Sequence, residues 1–205
     1  MGKEPLTFSS VFIEAFLKLF LLFALFIPAF SVSASEEDRE SSLSIRANLL
    51  RWATLTPDVG VEWRINRNVS IVVNGTATSW SWKDGDRRYA LWEITPEFRW
   101  YLGKERRGYV GAMYKTGFFN YKLSGTGRQG CLNGYGVTGG YVLPLCRSLS
   151  MDFTLGLGYL HARYDRYRLV DGVRERIGKD RKDWFGPINA GVTLVWNLPY
   201  GTETN

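Results

Sequence analysis

The sequence predicts an all-β fold: an eight-stranded antiparallel up-and-down transmembrane β-barrel of the outer-membrane type. Three observations predict it. Apolar and polar residues alternate at period two along most of the chain, as a strand displays its two faces. The apolar faces carry no charge across the middle of the strands, while the polar faces mix Gly, Ser, Thr and Asn with charges of both signs. Connections between strands tend to alternate, short then longer, which is the layout of an outer-membrane barrel with both termini in the periplasm.

Composition agrees. The 205 residues suffice for one domain plus a targeting segment, and 15% aromatics with 22 Gly favour strands and tight turns over helices. The net charge of +6 raises the question of nucleic acid, but the basic residues are mixed with Asp and Glu throughout and form no basic helix beyond the N-terminus. Nucleic acid is therefore not an expected partner.

In chain order, residues 1–34 read as a signal peptide. Lys3 and Lys18 precede the apolar run LFLLFALFIPAF (Leu19–Phe30), which has the length of a signal h-region and is too short to span a bilayer. Pro28 breaks the run near its end, and Val32 and Ala34 stand at −3 and −1 of a cleavage site before Ser35. A membrane anchor starting at Phe8 is the alternative, interrupted by Glu14 and Lys18. A short charged segment, 35–42, leads into the barrel, 43–198, and a tail follows at 199–205.

The eight expected strands are Leu43–Ala53, Asp58–Asn66, Val69–Trp82, Tyr89–Gly103, Gly108–Ser124, Cys131–Leu145, Leu149–Val170 and Phe185–Leu198. The first puts Arg46 and Asn48 on its polar side. The second sets Val59, Val61, Trp63 and Ile65 against Gly60, Glu62, Arg64 and Asn66. The fourth, LWEITPEFRWYLG, sets Trp92, Ile94, Pro96, Phe98, Trp100 and Leu102 against Glu93, Thr95, Glu97, Arg99 and Tyr101. The seventh sets Leu149, Met151, Phe153, Leu155, Leu157 and Tyr159 against Ser150, Asp152, Thr154, Gly156 and Gly158. The eighth sets Ile188, Ala190, Val192, Leu194 and Trp196 against Asn189, Gly191, Thr193, Val195 and Asn197. The longer connections are KDGDRR, GTGRQG and DGVRERIGKDRKDW, and the segment Arg163–Trp184 reads as a charged, solvated surface loop, with contact to anionic lipopolysaccharide or a partner as the alternative. Pro96 cannot donate a ladder hydrogen bond and predicts a bulge in strand four.

Which face looks inward separates two barrels. A lipocalin-type soluble barrel needs an apolar lumen and a polar exterior. Here eight charges are expected in the lumen: Arg46, Glu62, Arg64, Glu93, Glu97, Arg99, Lys115 and Asp152. Four are positive and four negative, and eight strands leave an interior that side chains can fill. Glu93 and Glu97 are expected to pair across the lumen with at least one of Arg46, Arg64, Arg99 or Lys115, because a buried carboxylate needs a partner to stay ionised. The fatty face then looks outward, at lipid. A secreted soluble β-barrel that binds a ligand is the alternative.

Other motifs add little chemistry. Asn189, Gly191, Leu194 and Trp196 resemble the C-terminal signal read by the outer-membrane barrel assembly machinery, although a tail follows. Gly134, Gly136 and Gly139 form a G-x-G-x-x-G, but inside an alternating strand, where a dinucleotide fingerprint does not belong. His161, the single histidine, has no serine motif or metal spacing beside it, so neither enzymatic activity nor a metal or other cofactor is expected. An outer-membrane enzyme would need a polar cluster converging on His161. Cys131 and Cys146 are expected unpaired if both lie on one strand, which separates them far beyond disulfide reach.

RANLLRWATLTPDVGVEWRIN, SWSWKDGDRRYALWEITPEFRWYLG, RGYVGAMYK and FGPINAGVTLVWNL together resemble a Bacteroidales family catalogued as domain of unknown function 3575. The resemblance covers nearly the whole mature chain. It implies a small outer-membrane barrel whose genes lie near those for fimbrial subunits and OmpA-like proteins, and hence a role in surface-fimbria assembly or anchoring. It carries no catalytic or ligand residues.

Overall fold

The computed structural model describes residues 42–82, 87–170 and 173–198. The signal peptide expected over 1–34, the segment after it as far as residue 41 and the tail 199–205 lie outside the described residues. Alternation produces strands almost everywhere: β1 (Ser42–Asn48), β2 (Asp58–Arg64), β3 (Val69–Trp82), β4 (Arg87–Leu102), β5 (Gly108–Lys122), β6 (Thr126–Cys146), β7 (Leu149–Val170) and β8 (Val173–Asn197). One short helix, α1 (Leu49–Ala53), follows β1. Each strand pairs antiparallel with the next, and β8 returns to β1 from Ser44↔Asn197 to Asn48↔Thr193, closing the sheet into a barrel. Closure holds over the lower part of the sheet; above it, among the described residues, β8 from Val173 to Val192 pairs with β7 alone and β3 beyond Thr76 with β4 alone.

The strand boundaries differ from expectation by more than two residues in three places. β1 stops at Asn48 instead of Ala53. The Asn48 side chain accepts a hydrogen bond from the Arg51 backbone N–H and so caps α1, a local bond that competes with the ladder. β6 starts at Thr126, so most of GTGRQG is strand and only residues 123–125 turn. β8 starts at Val173 rather than Phe185, and this is the largest correction. The charged segment Arg163–Trp184 is instead the upper half of a long β7–β8 ribbon, in which β7 keeps the expected bounds Leu149–Val170. Its pattern is charged, not apolar, and ion pairs across the ribbon hold it: Arg166 Nε to Asp180 at 2.8 Å and Arg176 to Asp165 at 2.6 Å.

Pro96 makes no bulge. It pairs with Val73 of β3, and on the β5 side the ladder skips Thr95 and Pro96, then resumes in the same register from Ile94↔Thr116 to Glu97↔Met113. The missing N–H therefore faces β5, and one gap in the ladder accommodates it. Bulges lie elsewhere, in the β6–β7 pair at Pro144–Cys146 and in the β7–β8 pair beside Gly156 and Arg166.

The registers separate two faces. Outward stand Val59, Val61, Trp63, Ile71, Val73, Trp92, Phe98, Trp100, Val110, Val137, Phe153, Leu155 and Leu157, all exposed. Inward stand Arg46, Glu62, Ser70, Thr76, Glu97, Arg99 and Asp152, all buried. Leu194 keeps its place in the outer row, opposite Met151 and Ala47, but is covered by its neighbours, while Trp196 remains open. Cys131 and Cys146 are free and both lie on β6. At roughly 3.3 Å per residue their separation is about 50 Å, far outside disulfide geometry.

Candidate functional site

Two clusters of charge fill the interior from the short-turn end upward, and beyond them a cavity of about 1160 Å³ opens among residues that include Thr78, Leu91, Phe119, Tyr164 and Asp180. The cluster nearer the short turns is built on Asp152 of β7, whose side chain is 0% exposed. Its Oδ2 takes Arg46 from β1 and Arg99 from β4, the latter at 2.7 Å. Its Oδ1 accepts from the Tyr109 hydroxyl at 2.9 Å and the Thr154 hydroxyl at 3.2 Å. Arg46 also pairs with Glu62, which accepts from the Tyr101 hydroxyl at 2.6 Å. Arg99 reaches Glu97 at 2.9 Å, and Thr138 donates to the other Glu97 oxygen at 2.6 Å. The Arg99 guanidinium lies over the Tyr109 ring and that of Arg64 over Tyr101, each 4.1 Å from the ring centroid. Arg64 sits at the rim, 3.9 Å from Glu62, and brings the cluster to three cations against three carboxylates.

Small residues make room for these groups. A Cβ on Gly111 would stand 2.5 Å from the Thr138 hydroxyl and 3.2 Å from Glu97, and a Cβ on Gly140 would collide with the Tyr109 hydroxyl. Glycine on these inward positions is therefore a packing requirement of the network.

The second cluster lies toward the long connections and centres on Arg51 of α1. Its guanidinium crosses from the β1 side to Glu93 of β4 at 2.5 Å, lies 3.7 Å from Asp58 and donates to Thr76. Thr76 in turn donates to Asp58 at 2.6 Å, and Lys115 of β5 stands 3.8 Å from Glu93. Between the two clusters, a cavity of only about 10 Å³ lies among residues that include Arg46, Arg51, Asp58 and Arg99. That is no more than the space of one water.

The outer wall has its own order. On β4 the apolar row runs from Leu102 to Trp92, on β6 from Leu145 to Tyr135, on β7 from Leu149 to Tyr159 and on β8 from Trp196 to Phe185. Each row is about 33 Å of strand at roughly 3.3 Å per residue, and a tilt of about 40° projects it to about 25 Å. Each ends at an aromatic ring, and neighbouring rings touch: Trp92 with Phe118 at 6.1 Å and Tyr135 with Tyr159 at 5.7 Å between centroids. Directly above Tyr159 and Phe185 the wall turns polar. His161 Nδ1 meets Asp183, Tyr159 donates to the same carboxylate oxygen at 2.5 Å, and Arg163 Nε donates to His161 Nε2 at 3.0 Å. These two hydrogen bonds, His161 first, hold the Asp183 carboxyl below the usual carboxylate range.

A family model described as "Protein of unknown function (DUF3575)" matches residues 20–198, a range that takes in every described residue. The chain belongs to the DUF3575 family. A comparison with curated proteins finds no match. In this DUF3575 protein all eight charges singled out from the sequence point to the inside, seven of them buried and Arg64 half-buried. Their pairing differs in part. Glu97 bonds Arg99 of its own strand, two residues on, rather than a cation across the lumen, because alternate residues of one strand share a face. Glu93 does reach Lys115, but its shorter contact is Arg51. Of the four residues of the C-terminal pattern, Asn189 and Gly191 face the lumen side of β8 and Trp196 the outer wall. Sequence reasoning missed Arg51 and Asp183. Arg51 lay in a segment read as strand, and Asp183 in one read as loop. The Asn48 cap three residues before Arg51, and the alternation Arg181, Asp183, Phe185, were the available signals.

Proposed function

We propose that this DUF3575 protein is an outer-membrane β-barrel with a sealed lumen and a structural or assembly role in the cell envelope. The observation that carries the reading is the inversion of faces. Charges fill the inside, and an aromatic-edged apolar band about 25 Å tall covers the outside, which suits lipid and is costly in water. A soluble ligand-binding barrel is not favoured, since its exterior would be polar, whereas the outside here is apolar. The N-terminal segment would act as the export signal, and Asn189, Gly191, Leu194 and Trp196 would present β8 to the barrel assembly machinery. Catalysis is not part of the reading. His161 Nε2, the nitrogen opposite Asp183, accepts from Arg163, so a cation stands where a general base would need its substrate. The finer role, fimbria assembly or anchoring beside fimbrial or OmpA-like proteins, rests on the family resemblance.

The test is fractionation. The full chain expressed in a Gram-negative host should sediment with outer membranes, need detergent for extraction and migrate differently on gels before and after boiling. Recovery as a detergent-free soluble protein would overturn the proposal. Native co-purification from outer membranes addresses the fimbrial role, and a partner set without fimbrial or OmpA-like proteins would remove it.

A further inference from the structure

We infer that the upper outer wall of β7 and β8 is a docking site for the phosphate of an anionic lipid in the outer leaflet, held by Arg163 and Arg181. The inference rests on the membrane reading above. Arg163 and Arg181 are directly opposite each other on neighbouring strands, and both are exposed. Like charges in that position repel unless an anion lies between them. Arg181 makes no ion pair within 4.0 Å among the described residues; its electrostatic neighbour is Asp183, two residues away on the same face, whose carboxylate is already held by His161 and Tyr159. Lys179, the next outward residue on β8, adds a third cation, while the nearby Asp165 is already taken by Arg176.

The depth fits a lipid headgroup. Arg163 and Arg181 stand four residues above the aromatic edge at Tyr159 and Phe185, which is about 10 Å at the tilt used above. Arg163 does not point up into solvent. Its Nε bonds His161, two residues nearer the band, so the guanidinium is turned back to within about 5 Å of the apolar edge. The headgroup layer on each side of a bilayer is roughly 5–7 Å thick. Tyr159, Asp183 and His161 form a chain of hydrogen bonds that fixes this posture, so they are positioning residues and Arg163 and Arg181 the contacts. Two guanidiniums side by side offer forked N–H donors that match phosphate oxygens. The apolar wall beneath them has no counterpart in a free phosphate but lies along the acyl chains of a lipid.

Native mass spectrometry of the folded full chain in detergent micelles tests the site, with phosphatidic acid and phosphatidylcholine of equal chain length as probes. The wild type should retain phosphatidic acid about tenfold more strongly, and the Arg163→Gln/Arg181→Gln variant should lose that preference. Arg107→Gln, at the opposite end of the barrel, should keep it. If the double variant fails to fold, Arg181→Gln alone serves, because no ion pair among the described residues depends on it, and it should lose about half of the preference on a logarithmic scale. Equal retention of the two lipids by a folded wild type would overturn the site and leave the membrane reading intact. Displacement of the lipid by millimolar inorganic phosphate would also overturn it, in favour of a free-anion site. A wild type that stays folded and soluble without detergent would overturn the membrane reading, and this site with it.

Discussion

The buried pair Glu97–Arg99 offers a measurement of how dry the lumen is. Both side chains are 1% exposed, and Arg99 also holds Asp152 at 2.7 Å. Arg99→Met keeps the unbranched stem but leaves Glu97 with the Thr138 hydroxyl as its remaining recorded partner. Asp152 still has Arg46, Tyr109 and Thr154. Breaking a buried pair from one side costs about 3–5 kcal/mol, because the remaining charge is desolvated and uncompensated. Adding Glu97→Gln removes that charge and leaves Arg46 and Arg64 balanced against Glu62 and Asp152. The double variant should therefore be more stable than Arg99→Met alone, by about 1–3 kcal/mol. Urea unfolding of the barrel in lipid vesicles, followed by Trp fluorescence and gel mobility, provides the assay. With a slope of about 2 kcal/mol per molar urea, the single change lowers the midpoint by about 1.5–2.5 M. If the double variant is instead the less stable, by the sum of the two single effects, the carboxylate was never desolvated and the lumen admits water.

Four further outcomes are expected. Leu155→Arg, in the middle of the outer band, should impair folding into vesicles by about 2–4 kcal/mol, whereas Phe185→Arg at its upper edge should cost about 0–1 kcal/mol; equal penalties would contradict the placement of the band. Gly140→Ala should destabilise the barrel by about 1–3 kcal/mol, since its methyl meets the Phe153 backbone carbonyl as well as the end of the Tyr109 side chain, and Tyr109→Phe in the same chain should leave most of that penalty in place because the carbonyl and ring contacts remain. Planar bilayers carrying the protein should show no steady porin-like current, because ion pairs between β1, β2, β4 and β7 close the lumen at its short-turn end; a large stable conductance would refute the packing. Non-reducing and reducing gels of the monomer should be identical, with Cys146 labelled by a thiol reagent faster than Cys131, which is half-buried; an intramolecular disulfide would place the two ends of β6 wrongly.

Local chemistry determined much of this molecule before any coordinates. Period-two alternation in β2, β4 and β7 shows which residues share a face, and the absence of charge from one face shows which of the two avoids water. The eight inward charges could therefore be named from the sequence. Their partners could not. Arg46 and Asp152 lie far apart in the chain and meet only because β8 closes onto β1 and brings β7 beside it. Arg51 enters the lumen only because Asn48 caps a turn of helix at the barrel mouth, a choice between two backbone hydrogen-bonding patterns that alternation does not decide. The upper half of β8 was hidden for a related reason. Above the apolar band its residues are largely charged on both faces, so they carry no fatty period, and cross-strand ion pairs hold a ribbon that hydrophobic patterning cannot mark. Sequence determines what each face tolerates, while closure of the sheet determines which residues meet, because contact across a barrel depends on register and stagger summed over all eight strands.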